Sequence, residues 1–336
     1  MKAMYEKLRE LYPNAEIVIV NYVKKKHWRK NMIHVLHYRI GIDTPASYCQ
    51  KVKQLITFTK YEHMLPRTES VKSAEDTQKL GLDLLVFGSD EIWNINGTGY
   101  HPLKSGYGIE KNNQKIIAYA PSVGSVTAET EIPEKAKRGL HNFAKLPGRD
   151  TETVKMIERT TGLKADKMLD PTFLYDFDKD IDIENIKPYK KPYILIYDCK
   201  LTDSQSKQLR AYADRNGLEI IGAGDYKKYY DRVTICLTPY EWVSLFRNAE
   251  KVITGTFHGT VFSIKYDRDF VCYPTEKNRI NKISSLLDDM KLSERLLALG
   301  NENSLCRLAD IPVDYEYAHN YIEEKKLEAD KFLLME

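Results

Sequence analysis

The sequence predicts an α/β protein that is built from parallel β-sheets and divided into two domains. Apolar runs of strand length alternate along the chain with segments of helical period, and these runs are continuously apolar. Continuous apolar strands between helices are typical of parallel sheets that are covered on both faces. The length of 336 residues exceeds the usual size of a single hydrophobic core, which favours two domains over one.

Each predicted strand is a short apolar run bounded by polar or turn-forming residues. In chain order these runs are residues 16–22, 82–89, 115–123, 192–198, 218–224, 251–255 and 270–273. After the last run, residues 281–299 and 313–335 both show the spacing of apolar residues that predicts a helix. The second of these helices is long enough to pack back on the first domain.

A charged stretch marks the predicted boundary between the domains. Residues 176–192 carry prolines and few large aliphatic side chains, and they separate two blocks that each have their own strands. We therefore predict an N-terminal domain at residues 1–178 and a C-terminal domain at residues 190–312. A C-terminal helix at residues 313–336 is predicted to return to the first domain.

Composition and charge argue against several classes of protein. The formal net charge of +3 comes from 51 basic and 48 acidic residues, which is too near balance for wholesale nucleic-acid binding. The five cysteines form no C-x-x-C pair, which disfavours a zinc site and a disulfide framework and indicates a reducing cytoplasm. The sequence shows neither an apolar signal core nor a run of about 20 apolar residues, so we expect neither export nor a membrane span.

A histidine lies at the joint between a predicted strand and a predicted helix. The strand is KVITG at residues 251–255, and the apolar residues after His258 predict a helix that Thr256 or its neighbours would cap. Ligands of open parallel sheets bind beyond the carboxyl ends of strands, where the next helix presents N–H groups and the positive end of its dipole. Gly259 would let an anionic group approach the backbone. The alternative is that His258 only hydrogen-bonds its own loop.

A second polar cluster follows the predicted strand at residues 82–89. Its members are Ser89, Asp90, Glu91, Trp93 and Asn94. Hydrogen-bonding groups beside an aromatic ring suit a sugar, which needs hydrogen bonds along its rim and stacking on its face. The alternative is an aspartate that caps the next helix and a tryptophan that belongs to the core.

Five motifs, in this order along the chain, resemble those of the polysaccharide pyruvyl transferase family. They are FGSDEIWN, KIIAYAPSVG, KLPGRDTETVKMI, KMLDPTFL and VITGTFHGTVFSIKYDRDFVCYP, and the similar region spans residues 80–290. Each motif is weak alone, whereas five in register are specific. The resemblance implies a glycosyltransferase-B-like architecture of two facing Rossmann-like domains, with phosphoenolpyruvate bound in the cleft.

The resemblance also implies a reaction and a set of site residues. Similar proteins transfer pyruvate from phosphoenolpyruvate to a sugar of a cell-surface polysaccharide or its precursor, forming a ketal and releasing phosphate. The expected catalytic residues are His258 and Arg149, which would converge on the donor from opposite domains. Donor-binding roles are expected for Thr256, Gly259, Thr260 and Arg279, and acceptor-binding roles for Ser89, Asp90, Glu91, Trp93 and Asn94. For Arg149, a surface role or an ion pair with Asp150 is the alternative.

The chain departs from the family pattern at its start and in one loop. Relatives usually open with a strand and a glycine-bearing loop before the helix that corresponds to residues 1–12. An aspartate and a serine more often occupy the places of Gly255 and Thr256, and Glu91 replaces a commoner glutamine. Because these changes remove polar groups from the expected site, altered or absent activity is an open alternative.

Two further functions stay open at this point. One is a nucleotide-sugar-dependent glycosyltransferase of the same architecture, because a fold does not fix a function. The other is a non-catalytic relative that binds or assembles. The expected partners are phosphoenolpyruvate and a glycan or lipid-linked glycan acceptor, without nucleic acid, a metal or a cofactor. We expect a cytoplasmic protein, and leave open both attachment to the inner face of the membrane and assembly into a homo-oligomer.

Some sequence features are expected to carry no function. The basic and aromatic stretches at residues 24–31 and 225–232 are typical of solvated surfaces. The histidines other than His258 show no metal-ligand spacing, and we expect them to be structural or surface residues. They are His27, His34, His37, His63, His101, His141 and His319.

Overall fold

A computed structural model of the protein describes residues 1–22, 38, 43–72, 74–96, 106–109, 114–276, 279–298 and 304–335. Within these residues the chain forms two units. The first unit comprises residues 1–22, those between 65 and 175, and 320–335, and the second comprises residue 38 and those between 43 and 64 and between 176 and 319. The basic stretch at residues 24–31 and the histidines His27, His34, His37 and His101 lie outside the described residues.

The helices and strands follow one another in the alternation that the sequence predicts. The helices are α1 (Lys2–Leu11), α2 (Pro45–Glu62), α3 (Ala74–Gln78), α4 (Glu134–Leu140), α5 (Thr151–Thr161), α6 (Ile181–Glu184), α7 (Asp203–Arg215), α8 (Pro239–Arg247), α9 (Phe257–Lys265), α10 (Ile280–Asp289), α11 (Leu305–Ala309) and α12 (Glu316–Leu333). The strands are β1 (Ile19–Tyr22), β2 (Arg67–Val71), β3 (Leu84–Gly88), β4 (Lys115–Tyr119), β5 (Tyr193–Tyr197), β6 (Glu219–Gly222), β7 (Lys251–Thr254) and β8 (Asp269–Cys272).

The second unit is built on a parallel sheet in which the strand order is β6-β5-β7-β8. The chain runs from β5 outward to β6 and then returns past β5 to β7 and β8, so its direction reverses between β5 and β7. Such a reversal leaves a crevice at the carboxyl ends of the two strands, where sheets of this kind bind ligands. Ile194, Leu195, Ile253 and Val271 are at most 1% exposed, as expected for strands covered on both faces.

The first unit holds two pairs of parallel strands, β1 with β2 and β3 with β4. Parallel bridges from Ile117 to Lys145 and from Gly148 to Lys167 extend the β3–β4 ladder to the segments on either side of α5. The paired strands described in both units are therefore parallel, and helices connect them everywhere except between β3 and β4, where the described residues form none. The predicted fold class, α/β with two Rossmann-like domains, is confirmed.

The last turns of α12 pack on the first unit, as predicted. Ala329 and Leu333 are completely buried in a cluster that includes Ile117 of β4. Lys7 of α1 lies 2.8 Å from Asp330 in an ion pair. Among the described residues, none of the helices combines the length and the apolar content needed to cross a bilayer.

Two elements differ from the sequence prediction. The strand β2 was missed because its residues, RTESV, are mostly polar and only Val71 is buried. The predicted helix at residues 281–299 is wrong in its second half. Its first half is α10, which ends at Asp289; Lys291 then adopts a φ of +55°, which a continuing helix cannot have, and Ser293–Arg295 form a separate 3₁₀ turn.

Replacing Leu333 by alanine is expected to lower the free energy of unfolding by roughly 2–5 kcal/mol, because this side chain is completely buried and its loss leaves a cavity. Leu327→Ala is the matched control on the same helix. Leu327 is 65% exposed, so its replacement should change stability by less than about 0.5 kcal/mol. Denaturant unfolding measures both values, and equal losses would contradict the packing described for α12.

Candidate functional site

Three strand ends meet at one edge of the sheet in the second unit. The strand β5 continues into Asp198, β7 into Gly255 and β8 into Tyr273. A Cβ atom on Gly255 would lie 2.6 Å from the carbonyl oxygen of Asp198 and 3.1 Å from that of Tyr273. Gly255 therefore has no room for a side chain, and the strand ends pack backbone against backbone.

Threonines fix the loop between β7 and α9. The Thr254 hydroxyl donates to the carbonyl oxygen of Tyr197 at 3.2 Å and accepts the N–H of Thr256 at 3.2 Å. Thr256 accepts the N–H of Gly259 through its own hydroxyl, at 3.0 Å, which makes it the N-cap of α9 as predicted. The loop that begins the helix is therefore held by its own side chains.

His258 is the second residue of α9 and is partly exposed. Its ring meets that of Phe257 edge to face, with 5.7 Å between the centroids. The first turn of a helix is where the positive end of its dipole is concentrated. The imidazole therefore lies next to the carboxyl edge of the sheet, in a position that favours anions.

Arg279 directly precedes α10 and reaches the same edge. Its Nη1 lies 2.6 Å from Oδ2 of Asp198 and donates to the carbonyl oxygen of Gly255 at 3.5 Å. Its Nη2 lies 3.2 Å from Oε2 of Glu276. The other oxygen of that carboxylate, Oε1, lies 2.8 Å from Nζ of Lys200. We call Asp198, Lys200, Glu276 and Arg279 the edge network. Its two cations and two carboxylates cancel in formal charge.

Two residues predicted to bind the donor face the protein interior instead. A Cβ on Gly259 would collide with the Thr254 hydroxyl, so this glycine allows α9 to pack closely on β7 and the expected approach of an anion there is wrong. Thr260 is completely buried, with its hydroxyl donating to the Thr256 carbonyl at 2.9 Å and lying 3.2 Å from the Cys272 sulfur. Burial raises the pKa of the Cys272 thiol to about 12, so Thr260 contacts a neutral core group rather than a ligand.

In the first unit, the polar cluster follows β3 at the carboxyl edge of its sheet. Asp90 has a side chain that is 72% exposed, and its carbonyl accepts the Ser122 N–H at 2.8 Å. Ser89 and Glu91 are partly exposed. A carboxylate in this position can accept hydrogen bonds from the hydroxyls of a sugar.

Arg149 lies beneath Asp90 and is almost completely buried. Its Nη1 donates to Asp170 at 2.8 Å, and both side chains are 1% exposed. Its Nη2 is 3.8 Å from the Asp90 carboxylate. The alternative of a surface role for Arg149 is therefore wrong. Asp150, the next residue, is the N-cap of α5 and accepts the Thr153 N–H at 2.9 Å. The guanidinium thus joins two loops of the first unit.

The structure contradicts two of the predicted acceptor contacts. Trp93 is completely buried, its indole N–H donates to a backbone carbonyl, and its ring stacks on Tyr107 with 5.8 Å between the centroids. It is a core residue and offers no face to a sugar. Asn94 is also buried, and its amide lies between Glu91 at 2.8 Å and Ser125 at 3.2 Å. These two residues shape the loop that carries Asp90.

Sequence analysis missed two carboxylates that the structure brings into these sites. Asp198 ends a predicted strand, but its proximity to Arg279 depends on the order of the strands in the sheet. Asp170 stands before a proline, which signals a capped turn, and its Oδ1 does accept the Thr172 N–H at 3.0 Å. Its pairing with Arg149, 21 residues away, has no local signal.

A family model described as polysaccharide pyruvyl transferase matches residues 1–277 of the chain. A comparison with curated proteins gave no match. The family match includes every residue predicted for the two sites except Arg279, which lies two positions beyond it.

Three similar solved structures are distant in sequence. The wall teichoic acid polymerase TagF has 14% identity and a TM-score of 0.47, over 99% of this chain and 80% of that one. A putative UDP-N-acetylglucosamine 2-epimerase from Listeria monocytogenes has 11% identity and a TM-score of 0.43, over 98% and 93%. The Streptomyces sp. SF2575 glycosyltransferase SsfS6, complexed with thymidine diphosphate, has 11% identity and a TM-score of 0.43, over 99% and 94%.

The Arg149–Asp170 pair generates a prediction about stability. Asp170→Asn removes the charge that lies 2.8 Å from a buried guanidinium, which is expected to cost roughly 3–5 kcal/mol of unfolding free energy. Asp90→Asn is the control. It alters an exposed partner of the same arginine and should cost at most about 1 kcal/mol. Urea unfolding measures the loss of unfolding free energy in both variants. A loss for Asp170→Asn that is no greater than the loss for Asp90→Asn would contradict the buried pairing.

Proposed function

The chain belongs to the polysaccharide pyruvyl transferase family, and we propose that it transfers pyruvate from phosphoenolpyruvate to two hydroxyls of one sugar in a polysaccharide or its precursor. In this reaction the methylene carbon of the donor gains a proton, and one sugar oxygen bonds to C2. The C2–O bond to phosphate then breaks, phosphate leaves with the electron pair, and the second sugar oxygen bonds to C2. The two hydroxyl protons balance the proton gained by carbon and the one taken by phosphate.

The observation that carries the proposal is the contact of Arg279 with the carbonyl of Gly255, at the carboxyl end of β7 and in the loop that leads to His258. Arg279 contacts the carbonyl of Gly255, and His258 follows Gly255 by three residues at the start of α9. Phosphoenolpyruvate is a small molecule with a phosphate and a carboxylate. Its recognition needs cations and N–H donors that converge on one place, which a guanidinium and a helix N-terminus supply.

We assign His258 to proton transfer at the donor. An imidazole can take a proton from a hydroxyl or pass one to the departing phosphate, and such a group contributes about 10²–10⁴-fold to a rate. In this assignment Arg279 binds an anionic group of the donor, and Thr256 holds the loop as the cap of α9. Gly259 and Thr260 support the packing of the helix behind it.

The acceptor is assigned to the polar cluster of the first unit. Asp90, Ser89 and Glu91 have exposed or partly exposed side chains that can bind sugar hydroxyls. Arg149 is assigned a positioning role, because its side chain is 1% exposed and its contacts are to Asp170 and Asp90. Phosphoenolpyruvate serves as a co-substrate, and we propose a cytoplasmic protein whose acceptor is a soluble or lipid-linked glycan.

Replacement of His258 by alanine is expected to lower acceptor-dependent phosphate release from phosphoenolpyruvate by about 10²–10⁴-fold, as for the loss of a general acid or base. The acceptors are a panel of soluble and lipid-linked glycan precursors. His319→Ala is the matched control, because His319 lies in the same unit, is 53% exposed and pairs with Asp267 away from this edge. This variant should keep the wild-type rate.

Four outcomes would contradict the proposal. One is a wild-type protein that releases no phosphate with any acceptor of the panel, and another is an equal rate for His258→Ala and the wild type. The third is thermal stabilisation by UDP- or GDP-sugars but not by phosphoenolpyruvate, which would indicate a glycosyltransferase instead. Stabilisation by neither type of donor would favour a non-catalytic relative.

A further inference from the structure

Asp198 occupies an unusual place at the end of β5. It has a φ of +44°, in the left-handed region that residues other than glycine seldom adopt, although aspartate and asparagine tolerate it best. Its carbonyl packs against Gly255, and its carboxylate lies 2.6 Å from Nη1 of Arg279. The turn therefore directs the carboxylate to the arginine at the carboxyl edge of the sheet.

Stability does not account for this arrangement. The Asp198 side chain is 47% exposed and that of Arg279 is 24% exposed, and ion pairs in such settings add little to the free energy of unfolding. A strained backbone that brings little stability is often found where a side chain must be held for function. The pairing is better explained by what it does to the guanidinium.

The edge network holds the Arg279 guanidinium from two sides. Asp198 and the Gly255 carbonyl contact Nη1, and Glu276 contacts Nη2. The planar group has five N–H donors, more than these three contacts use, so it can be held in place and still bind an anion. Fixing a binding group before the ligand arrives lowers the entropy lost on binding.

We propose that Asp198 is a positioning residue for the donor, which it serves by fixing the guanidinium of Arg279 beside the loop of His258. This inference rests on the proposed function, because it takes phosphoenolpyruvate as the ligand of Arg279. Charge alone makes the opposite prediction. The Asp198 carboxylate repels an anionic donor and competes with it for the arginine. If this repulsion were the main effect, removing the carboxylate would tighten the binding of phosphoenolpyruvate.

The test is the dissociation constant of phosphoenolpyruvate, measured by calorimetry without an acceptor. Asp198→Asn keeps the shape of the side chain and tolerates the positive φ, but it loses the charge. We expect it to weaken binding by about tenfold or more, the range for loss of a charge-assisted hydrogen bond. In the Arg279→Gln background the same change should have no further effect, because Asp198 acts through that arginine.

Asp267→Asn is the matched control. Asp267 also has a positive φ, of +53°, a side chain that is 52% exposed, and a basic partner at 2.7 Å, but it precedes β8 at the opposite edge of the sheet. Asp267→Asn should leave the dissociation constant of phosphoenolpyruvate unchanged. Its melting temperature should shift by at least as much as that of Asp198→Asn.

The possible results separate this inference from the proposed function. Wild-type protein that does not bind phosphoenolpyruvate overturns both. Wild-type binding with an unchanged or tighter constant for Asp198→Asn overturns the positioning role alone. If adding Asp198→Asn to Arg279→Gln weakens binding further than Arg279→Gln alone, the positioning role is also overturned, because the aspartate would then act independently of the arginine.

Discussion

The close packing of three strand ends around Gly255 is the constraint on which the candidate donor site depends. Asp198 and Tyr273 leave no room for a side chain there, and the Gly255 carbonyl accepts a hydrogen bond from Arg279. The chain can then enter α9 at once and present His258 in its first turn. The site is thus determined by backbone position in a parallel sheet, and a few polar side chains complete it.

The two units use ionic contacts in different ways. In the first unit, Arg149 and Asp170 are both 1% exposed, so each needs the other to offset the cost of burying a charge. In the second unit, Arg279 and Asp198 are partly exposed. Their pairing therefore costs little desolvation energy and contributes little to the free energy of unfolding. A buried pair of the first kind orders loops, whereas a solvent-accessible pair of the second kind can hold a guanidinium in place while its other N–H donors bind an anionic ligand.

Sequence alone predicted what depends on local pattern. The buried strands and the cap at Thr256 follow from apolar runs and from a threonine before a helix, and the fold class follows from their alternation. The polar strand β2 gives no such signal. Gly259 and Trp93 were misassigned because a pattern does not tell whether a glycine faces a ligand or a neighbouring strand, or whether a tryptophan lines a site or fills a core.

The remaining features required the order of the strands in the sheet. Asp198 meets Arg279 only because β5 and β7 are neighbours and β8 lies beside β7, and Asp170 meets Arg149 through bridges beyond β4. These pairings join residues that are far apart in the chain, and no spacing in a single sequence encodes them. The five motifs carried the family assignment, since they recur in order, but not the contacts among their side chains.

A crystal structure of the protein soaked with phosphoenolpyruvate would show whether the edge of the sheet at Arg279 and His258 binds the donor. We expect the phosphate or the carboxylate of the donor to lie within about 3 Å of the Arg279 guanidinium, at the carboxyl edge between β5 and β7 and beside His258. Donor bound at another place, or no bound donor at a saturating concentration, would contradict it.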